Sequence, residues 1–188
     1  QLVMKTALRL LVALLPAVLF FMRCENQSEP IITIPDDNFL TALIELGIDT
    51  DGNGRINPLE AEVITTLDIS GDSISDITGI NAFINLDTLI CYDNQISSLD
   101  ISNINGLIFL NCAHNQIRSL SLFYNVELKN LDLSYNPITS LNLSGNTSLE
   151  TIRCEGCSLN NLDLSVQSNL VDLNCQLNQL SNLDITEN

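Results

Sequence analysis

The chain reads LKNLDLSYNPI from Leu128 to Ile138, and the same spacing of residue types returns five more times. In every copy, apolar residues or cysteine occupy the first, fourth, sixth and eleventh places, and Asn, Asp or Cys occupies the ninth. The six copies are residues 64–74, 86–96, 107–117, 128–138, 149–159 and 170–180. The first two copies start 22 residues apart and the later ones 21 apart, an interval that only identical stacked units require.

This spacing predicts a leucine-rich-repeat solenoid over residues 64–188. The fourth and sixth residues alternate with polar neighbours, so we expect short strands that form a parallel sheet on the concave side. A second L-x-(L/I) pair recurs ten residues later and favours a mostly extended convex side. These pairs are Leu99 and Ile101, Leu120 and Leu122, Leu141 and Leu143, Leu162 and Leu164, and Leu183 and Ile185.

The ninth place holds asparagine in four copies, at Asn94, Asn115, Asn136 and Asn178. An amide side chain in the turn after a strand can bond backbone groups of neighbouring turns that would otherwise be buried without partners. The sequence therefore predicts a structural asparagine ladder.

Five of the six cysteines lie inside the repeats. Four occupy the sixth place, where we expect small buried side chains with free thiols, because neighbouring parallel strands rarely provide disulfide geometry. These four are Cys91, Cys112, Cys154 and Cys175, and Cys157 occupies a ninth place. An alternative is a zinc or redox site, because Cys154 and Cys157 also spell C-x-x-C, with Cys175 and His114 as further ligands.

The charge is strongly negative, at a formal −16. After Cys24 there are 23 acidic residues against only four basic ones. Such a surface repels phosphate backbones and anionic membranes, so we expect no nucleic-acid binding. Divalent cations become natural counterions.

The N-terminus resembles a bacterial export signal over residues 1–24, followed by a linker over 25–34. Lys5 and Arg9 precede the non-polar stretch 10–22, which is too short to cross a bilayer comfortably. Cys24 stands where an exported lipoprotein has its acylated cysteine, although Arg23 departs from the usual small residues. A lipid anchor at Cys24 and a signal that is uncleaved or cleaved elsewhere both stay open. The protein is expected at the cell surface or outer membrane, or secreted, with membrane contact only through such an anchor.

Residues 49–60 read DTDGNGRINPLE and match the twelve-residue EF-hand loop at every diagnostic place. The predicted Ca²⁺ ligands are the side chains of Asp49, Asp51, Asn53 and Glu60, the carbonyl of Arg55, and Asn57 directly or through water. A lone loop favours a weak structural site, with Kd in the ~10⁻⁴ to 10⁻³ M class. The alternative is a polar turn that holds no ion.

The loop belongs to a predicted helical cap over residues 35–63. Asp36 or Asp37 can cap a first helix, residues 58–63 can begin a second, and Ile56 should point into the apolar cap. The residues expected to share the inner face of the first helix are Phe39, Leu43 and Leu46.

The third, fifth, seventh and eighth residues of each copy are expected to face solvent on the concave side, the usual contact surface of solenoids. Several of them are apolar or aromatic where the scaffold does not demand it. The candidate partner-binding residues are Ile90, Tyr92, Phe109, His114, Tyr135 and Arg153. Ordinary surface scatter is the alternative.

The phrase I-P-D-x-N-F at residues 34–39, the D-x-D-x-N-G loop, residues 77–80 and N-Q-I-S-S-L-D-I-S at residues 94–102 resemble the exported leucine-rich-repeat proteins of Bacteroidetes-type bacteria. The internalins share the looser pattern. The resemblance covers residues 34–188 and implies a surface or secreted protein that binds a protein or glycan. The sequence ends in mid-array, without the capping segment or sorting domain that many relatives carry, which leaves open that it is a piece of a longer protein.

These features favour a non-enzymatic binding or adhesion module. The alternatives are the recognition arm of a larger exported enzyme and a purely structural envelope protein. His114 is the sole histidine, and the pattern places no serine or cysteine nucleophile beside it, so we expect no catalytic site in these residues.

Overall fold

The computed structural model describes residues 30–183 and 185–186. The predicted export signal and Cys24 lie outside the described residues, so the lipid-anchor question stays a prediction. The described residues from Ile31 onward belong to one compact unit. It begins with helix α1 (Asp37–Glu45) and helix α2 (Pro58–Glu62) and continues into the repeats.

Each repeat contributes one strand of three residues to a single parallel sheet. The strands are β1 (Thr66–Asp68), β2 (Thr88–Ile90), β3 (Phe109–Asn111), β4 (Asn130–Asp132), β5 (Thr151–Arg153) and β6 (Asp172–Asn174). They lie in chain order, and equivalent places pair from one turn to the next, as Leu110 does with Leu131. The predicted leucine-rich-repeat solenoid with its parallel sheet is confirmed.

The core runs through the stack between the sheet and the back of each turn. The inward residues Leu89, Leu110 and Leu131 are buried, and so are Ile101 and Leu122 of the second apolar pairs. Each such side chain contributes about 1.5–3 kcal/mol on burial, and most of that surface is covered by the neighbouring turns. Outside the two cap helices, the only helical element among the described residues is a 3₁₀ turn, Ile80–Ala82.

The predicted asparagine ladder runs along the sheet side, and we call it the front ladder: Asn94, Asn115, Asn136 and Asn178. The Asn115 Nδ2 donates to the carbonyl of Cys91 in the preceding turn at 2.9 Å and to that of Cys112 at 3.1 Å. Its Oδ1 accepts from the Ile96 amide at 2.9 Å. The same pattern recurs at the other three, so the ladder is confirmed.

A second set of buried amides runs along the back of the turns and was not predicted. This back ladder consists of Asn125, Asn146 and Gln167, which are 21 residues apart and buried. The Asn146 Nδ2 donates to the Leu122 carbonyl at 3.1 Å and the Asn125 carbonyl at 2.9 Å. The third and fourth turns are thus tied to their predecessors by side-chain amides on both sides.

The cap is joined to the first turn by one carboxylate. Asp36 is the N-cap of α1, where its Oδ1 accepts from the amides of Asn38 and Phe39, both at 3.0 Å. Its Oδ2 accepts from the Ser75 amide at 2.9 Å and the Asp76 amide at 3.0 Å. Burial raises the pKa of Asp36, but hydrogen bonds, above all from Ser75, outweigh burial and lower it to about 2. The capping residue of α1 is therefore Asp36, and Asp37 lies in the first turn of the helix.

One cap prediction is wrong. Phe39 and Leu43 are fully buried as expected, but Leu46 is 53% exposed. The reason is that α1 ends at Glu45 and Leu46 is only its C-cap residue. Leu46 still has right-handed helical φ and ψ, but Gly47 then turns the chain with φ of +74°, so Leu46 lies at the end of the helix, beyond the buried Phe39 and Leu43.

The cysteines behave as scaffold residues. Cys91, Cys112, Cys154 and Cys157 are buried, Cys175 is half-buried, and all five thiols are free, as predicted. Burial raises the pKa of Cys91 and of Cys154 to about 12, so both remain protonated at neutral pH.

Candidate functional site

The outward third and fifth residues of the six strands form a surface that we call the sheet face. Ile90 and Phe109 lie on adjacent strands, two places apart in register, and both are half-buried. They are therefore diagonal neighbours within reach of each other's side chains. A shallow hollow beside them is lined by Phe109, Asn111, Asn130, Leu131, Asp132, Thr151 and Arg153.

Arg153, one of the predicted binding residues, is already paired on the sheet face. Its Nη2 lies 2.7 Å from the Asp172 Oδ2 of the next strand, and both side chains are about half exposed. An exposed pair of this kind adds little stability, ~0–1 kcal/mol, but it holds the guanidinium at one edge of the hollow.

The prediction that seventh-place residues face solvent is wrong for Ala113 and Ser134, which are buried. The strands end at the fifth place, so strand alternation stops there. The side chains of Asn111 and Asp132 then fold back, and each accepts a hydrogen bond from the backbone amide two residues later, at 3.1 and 3.0 Å. Tyr92, also at a seventh place, is 37% exposed as expected.

The eighth place has a left-handed backbone in all six turns, which sequence reasoning missed. We call this line of residues the eighth-place ridge. It consists of Gly71, Asp93, His114, Tyr135, Gly156 and Leu177, with φ between +53° and +76°. The glycines at two of these places and the aspartate at a third were the available signal, because these residue types tolerate positive φ.

The middle of the ridge carries an ordered polar and aromatic arrangement. The rings of His114 and Tyr135 are stacked, with centroids 4.5 Å apart and 17° between planes. The Tyr135 hydroxyl donates to the Glu155 Oε1 at 2.6 Å, and the Asn174 Nδ2 donates to the Oε2 at 2.9 Å. The hydrogen bond to Glu155 raises the pKa of Tyr135, and the same bond lowers the pKa of Glu155. Glu155 therefore stays ionised at pH values below its ordinary pKa.

Three of the predicted Ca²⁺ ligands lie in one local cluster. Ligand oxygens of Asp49, Asp51 and Glu60 lie within 4.8 Å of one another. Gly54 has φ of +76° and donates its amide to the Asp49 Oδ2 at 2.8 Å, which provides the sharp turn. The Asn53 side chain lies beside them, with its Nδ2 2.7 Å from the Asp51 Oδ2.

Glu60 is held by the start of α2. Asn57 and Glu60 form a reciprocal capping box, in which the Asn57 Oδ1 accepts from the Glu60 amide at 3.1 Å. Burial raises the pKa of Glu60, but hydrogen bonds from Asn57 and Thr50 outweigh it, and the net pKa is lowered. Asn57 is buried and its oxygen is already engaged, which favours a contribution through water over a direct one.

The loop also pairs with the segment that precedes α1. The Ile32 amide donates to the Ile56 carbonyl at 2.9 Å, and the Ile56 side chain is buried in the cap as predicted. Among the described residues, Asp49, Asp51 and Glu60 are the only set of three Asp, Glu, His or Cys side chains whose ligand atoms converge in this way. The Cys154–Cys157 pair therefore gathers no third ligand there, and the zinc alternative has no geometric support.

Comparison with known proteins supports the architecture. No family model matches the chain. Internalin J of Listeria monocytogenes is 35% identical over 68 residues, which cover 36% of this chain and 7% of that protein. The crystal structure of the internalin InlF from the same species superposes with a TM-score of 0.76 at 23% identity, covering 85% of this chain and 49% of that one. The fold is internalin-like.

A leucine-rich-repeat protein of Leptospira interrogans superposes with a TM-score of 0.56 at 22% identity, over 66% of this chain and 35% of that one. The internalin-like chain thus spans about half of the InlF structure and a small part of Internalin J. Within the described residues, no helix combines the length and the apolar character needed to cross a bilayer.

Proposed function

We propose that this internalin-like chain is a non-enzymatic binding or adhesion module, exported to the bacterial surface or secreted. Its sheet face, the seventh-place Tyr92 and the eighth-place ridge would contact a protein or glycan partner. The observation that carries the proposal is the set of exposed and half-buried aromatic and apolar side chains at outward places, where the repeat does not require them. Tyr92, Phe109 and Tyr135 are the leading anchors. Large aromatic side chains surrounded by polar groups are the usual hot spots of interfaces.

The test is a binding screen with purified chain against arrays of glycans and of extracellular proteins. Any partner found is then titrated against the double variant Tyr92→Ala/Phe109→Ala. We expect affinity to fall by about 30- to 1000-fold, because the two anchors together contribute roughly 2–4 kcal/mol.

The matched control is Phe123→Ala/Tyr124→Ala. These two aromatic side chains are also exposed and packed edge to face, but they lie in a turn outside the sheet. The control should bind like the parent. Equal losses in both double variants would refute the sheet face as the binding surface, and no binding in either array would refute the binding function.

We also propose that the loop at residues 49–60 binds Ca²⁺ and stiffens the cap. The donor set fits a hard cation, because it consists of carboxylate and amide oxygens together with a backbone carbonyl. Asp49, Asp51, Asn53, Glu60 and the Arg55 carbonyl would hold the ion, with Asn57 acting through water. Bound Ca²⁺ would supply positive charge between carboxylates that repel one another, and would leave the chemistry of the sheet face unchanged.

Calorimetric titration with CaCl₂ tests the site. We expect Kd of ~10⁻⁴ to 10⁻³ M and a higher melting temperature at saturating Ca²⁺, about 2.7 kcal/mol of stabilisation at 100 times Kd. Asp49→Ala and Glu60→Gln should abolish both effects, whereas Asp37→Ala, which removes a cap carboxylate outside the loop, should preserve them. Identical heats for the parent and Asp49→Ala would exclude this site.

A further inference from the structure

The eighth-place ridge holds side chains where the backbone disfavours them. His114, Tyr135 and Leu177 have φ of +53°, +56° and +55°. A Cβ in this region crowds the following carbonyl, at a cost of roughly 1–2 kcal/mol per residue. Gly71 and Gly156 show that the fold accepts glycine at the same place. The scaffold therefore does not need the rings of His114 and Tyr135, and a role outside the scaffold accounts for them.

The two rings are held rigidly. Tyr135 stacks on His114 on one side, and on the other side a Cβ added to Gly156 would lie 2.7 Å from the ring Cδ1. The Tyr135 hydroxyl is fixed by Glu155, which is itself fixed by Asn174. His114 and Tyr135 nevertheless stay exposed, Tyr135 by 42%. His114 and Gly156 thus cover the two faces of the Tyr135 ring, and the aromatic surface open to a partner is the exposed His114 ring and the edge of Tyr135, beside the Glu155 carboxylate.

The charges around these rings select a cationic group. Glu155 stays ionised because its hydrogen bonds, first that from Tyr135, lower its pKa. Asp93 occupies the eighth place of the turn before His114, and the ridge contains no lysine or arginine. The nearby Arg153 is already paired with Asp172. A planar guanidinium both packs on aromatic rings and donates two hydrogen bonds to a carboxylate, which an ammonium does less well.

We propose that His114, Tyr135 and Glu155 form a receptor for an arginine side chain of a polypeptide partner. This inference rests on the proposed binding function and names the partner chemistry of one part of that surface. A second copy of the chain is a poor partner for this receptor, because the residues after Cys24 contain only four Lys or Arg against 23 acidic residues.

The experiment is an NMR titration of the whole chain with N-acetyl-arginine methylamide. Its uncharged analogue N-acetyl-citrulline methylamide and methyl α-glucoside are titrated in parallel. We expect saturable shifts centred on residues 114, 135 and 155 for the arginine probe, and binding at least about fivefold weaker for citrulline. Equal binding of citrulline, shifts at these residues with the glucoside, or shifts spread over acidic side chains everywhere would each overturn the inference.

Two glycine variants separate the receptor from general backbone strain. Gly156→Ala adds a Cβ that displaces the Tyr135 ring, whereas Gly71→Ala adds a Cβ at the same place of the repeat with no atom within 4 Å. Both variants carry a left-handed alanine and share that backbone cost, whereas only Gly156→Ala also displaces the Tyr135 ring. Only Gly156→Ala should weaken the arginine probe, and equal effects on binding would overturn the inference.

Glu155→Gln provides an isosteric variant that preserves the packing. It should weaken the arginine probe by about tenfold, because it replaces a charge-assisted pair with a neutral one. A partner that is lost with Tyr92→Ala/Phe109→Ala yet binds normally to Glu155→Gln and Gly156→Ala would leave the proposed binding function intact and refute the arginine receptor.

Discussion

The front and back ladders both use buried amides, but they satisfy different needs. On the front, the Ile96 amide has the Asn115 Oδ1 as its acceptor, and among the described residues the Cys91 carbonyl accepts only from the side-chain amides of Asn94 and Asn115. On the back, the Leu122 carbonyl that accepts from Asn146 already accepts from the backbone amide of Asn125 at 3.0 Å. The front ladder therefore replaces missing backbone partners, whereas the back ladder adds to bonds that exist without it.

The apolar residues at the back-ladder place support this distinction. In the first two turns the place is occupied by Phe83 and Ile104, both fully buried. The Asn125 Oδ1 is buried without a partner among the described residues, a cost that no front-ladder asparagine carries. The fold thus accepts an apolar residue at the back, while the front requires an amide or a close substitute.

The largest expected effect comes from the front ladder. Asn115→Ala removes the acceptor of the Ile96 amide and one of the two side-chain donors to each of the carbonyls of Cys91 and Cys112, which keep Asn94 and Asn136 as donors. We expect the free energy of unfolding in urea to fall by about 2–4 kcal/mol, because the Ile96 amide left unpaired costs roughly 1–3 kcal/mol and the lost bonds of the Asn115 Nδ2 add about 1 kcal/mol. The exposed Asn160→Ala serves as the control and should stay within about 0.5 kcal/mol of the parent. Similar losses in both variants would remove the special role of the front ladder.

A smaller effect is expected at the back. Asn146→Ile installs the residue type that the second turn already has at this place, and the two carbonyls it releases keep their backbone donors. The free energy of unfolding should fall by about 1 kcal/mol, less than half of the Asn115→Ala loss. The same urea titration measures it, and a loss as large as that of Asn115→Ala would show that the two ladders are equivalent.

The smallest effect, with the opposite sign, is expected at the break in the front ladder. Cys157 replaces the asparagine, its Sγ lies 3.3 Å from the Leu133 carbonyl, and the Ile138 amide donates within its own turn to Asn136 at 2.8 Å. Cys157→Asn should raise the free energy of unfolding by about 0.5 kcal/mol, the low end of the net contribution of one hydrogen bond, because the Ile138 amide already donates to the Asn136 carbonyl. Cys157→Ala, which cannot bridge the turns, should lower it. Destabilisation by asparagine would mean that thiol packing governs this place.

The front ladder was predictable from sequence and the back ladder was missed, for a physical reason. Asparagine after an L-x-L strand has a single structural role, and four copies repeat it at a fixed interval. Asn125, Asn146 and Gln167 also recur at 21 residues, but the same place holds Phe83 and Ile104 in the first two turns. The three amides therefore looked like ordinary polar loop residues. An asparagine and an isoleucine can occupy the same place in different turns only where the neighbouring backbone groups already have hydrogen-bond partners.

Backbone conformation was the least predictable property of the candidate site. His114, Tyr135 and Leu177 are not residue types that indicate positive φ, so the eighth-place ridge did not follow from their identities. Ala113 and Ser134 were predicted to be exposed because the strand was assumed to extend beyond the fifth place. The calcium loop, in contrast, has all its candidate ligands within twelve residues, so its geometry depends on local turns that sequence specifies well. Its ion and the binding partner stay predictions.

Amide hydrogen exchange tests most directly whether the ninth residue of each turn stabilises the preceding turn through its hydrogen bonds. The amides of Ile74, Ile96, Ile117 and Leu159 donate to front-ladder asparagines, whereas that of Ile138 does not. We expect Ile138 to exchange about tenfold faster than the other four in the parent, and to slow to their rate in Cys157→Asn. Equal exchange at all five in the parent, or no change at Ile138 in the variant, would contradict a solenoid held together by its front ladder.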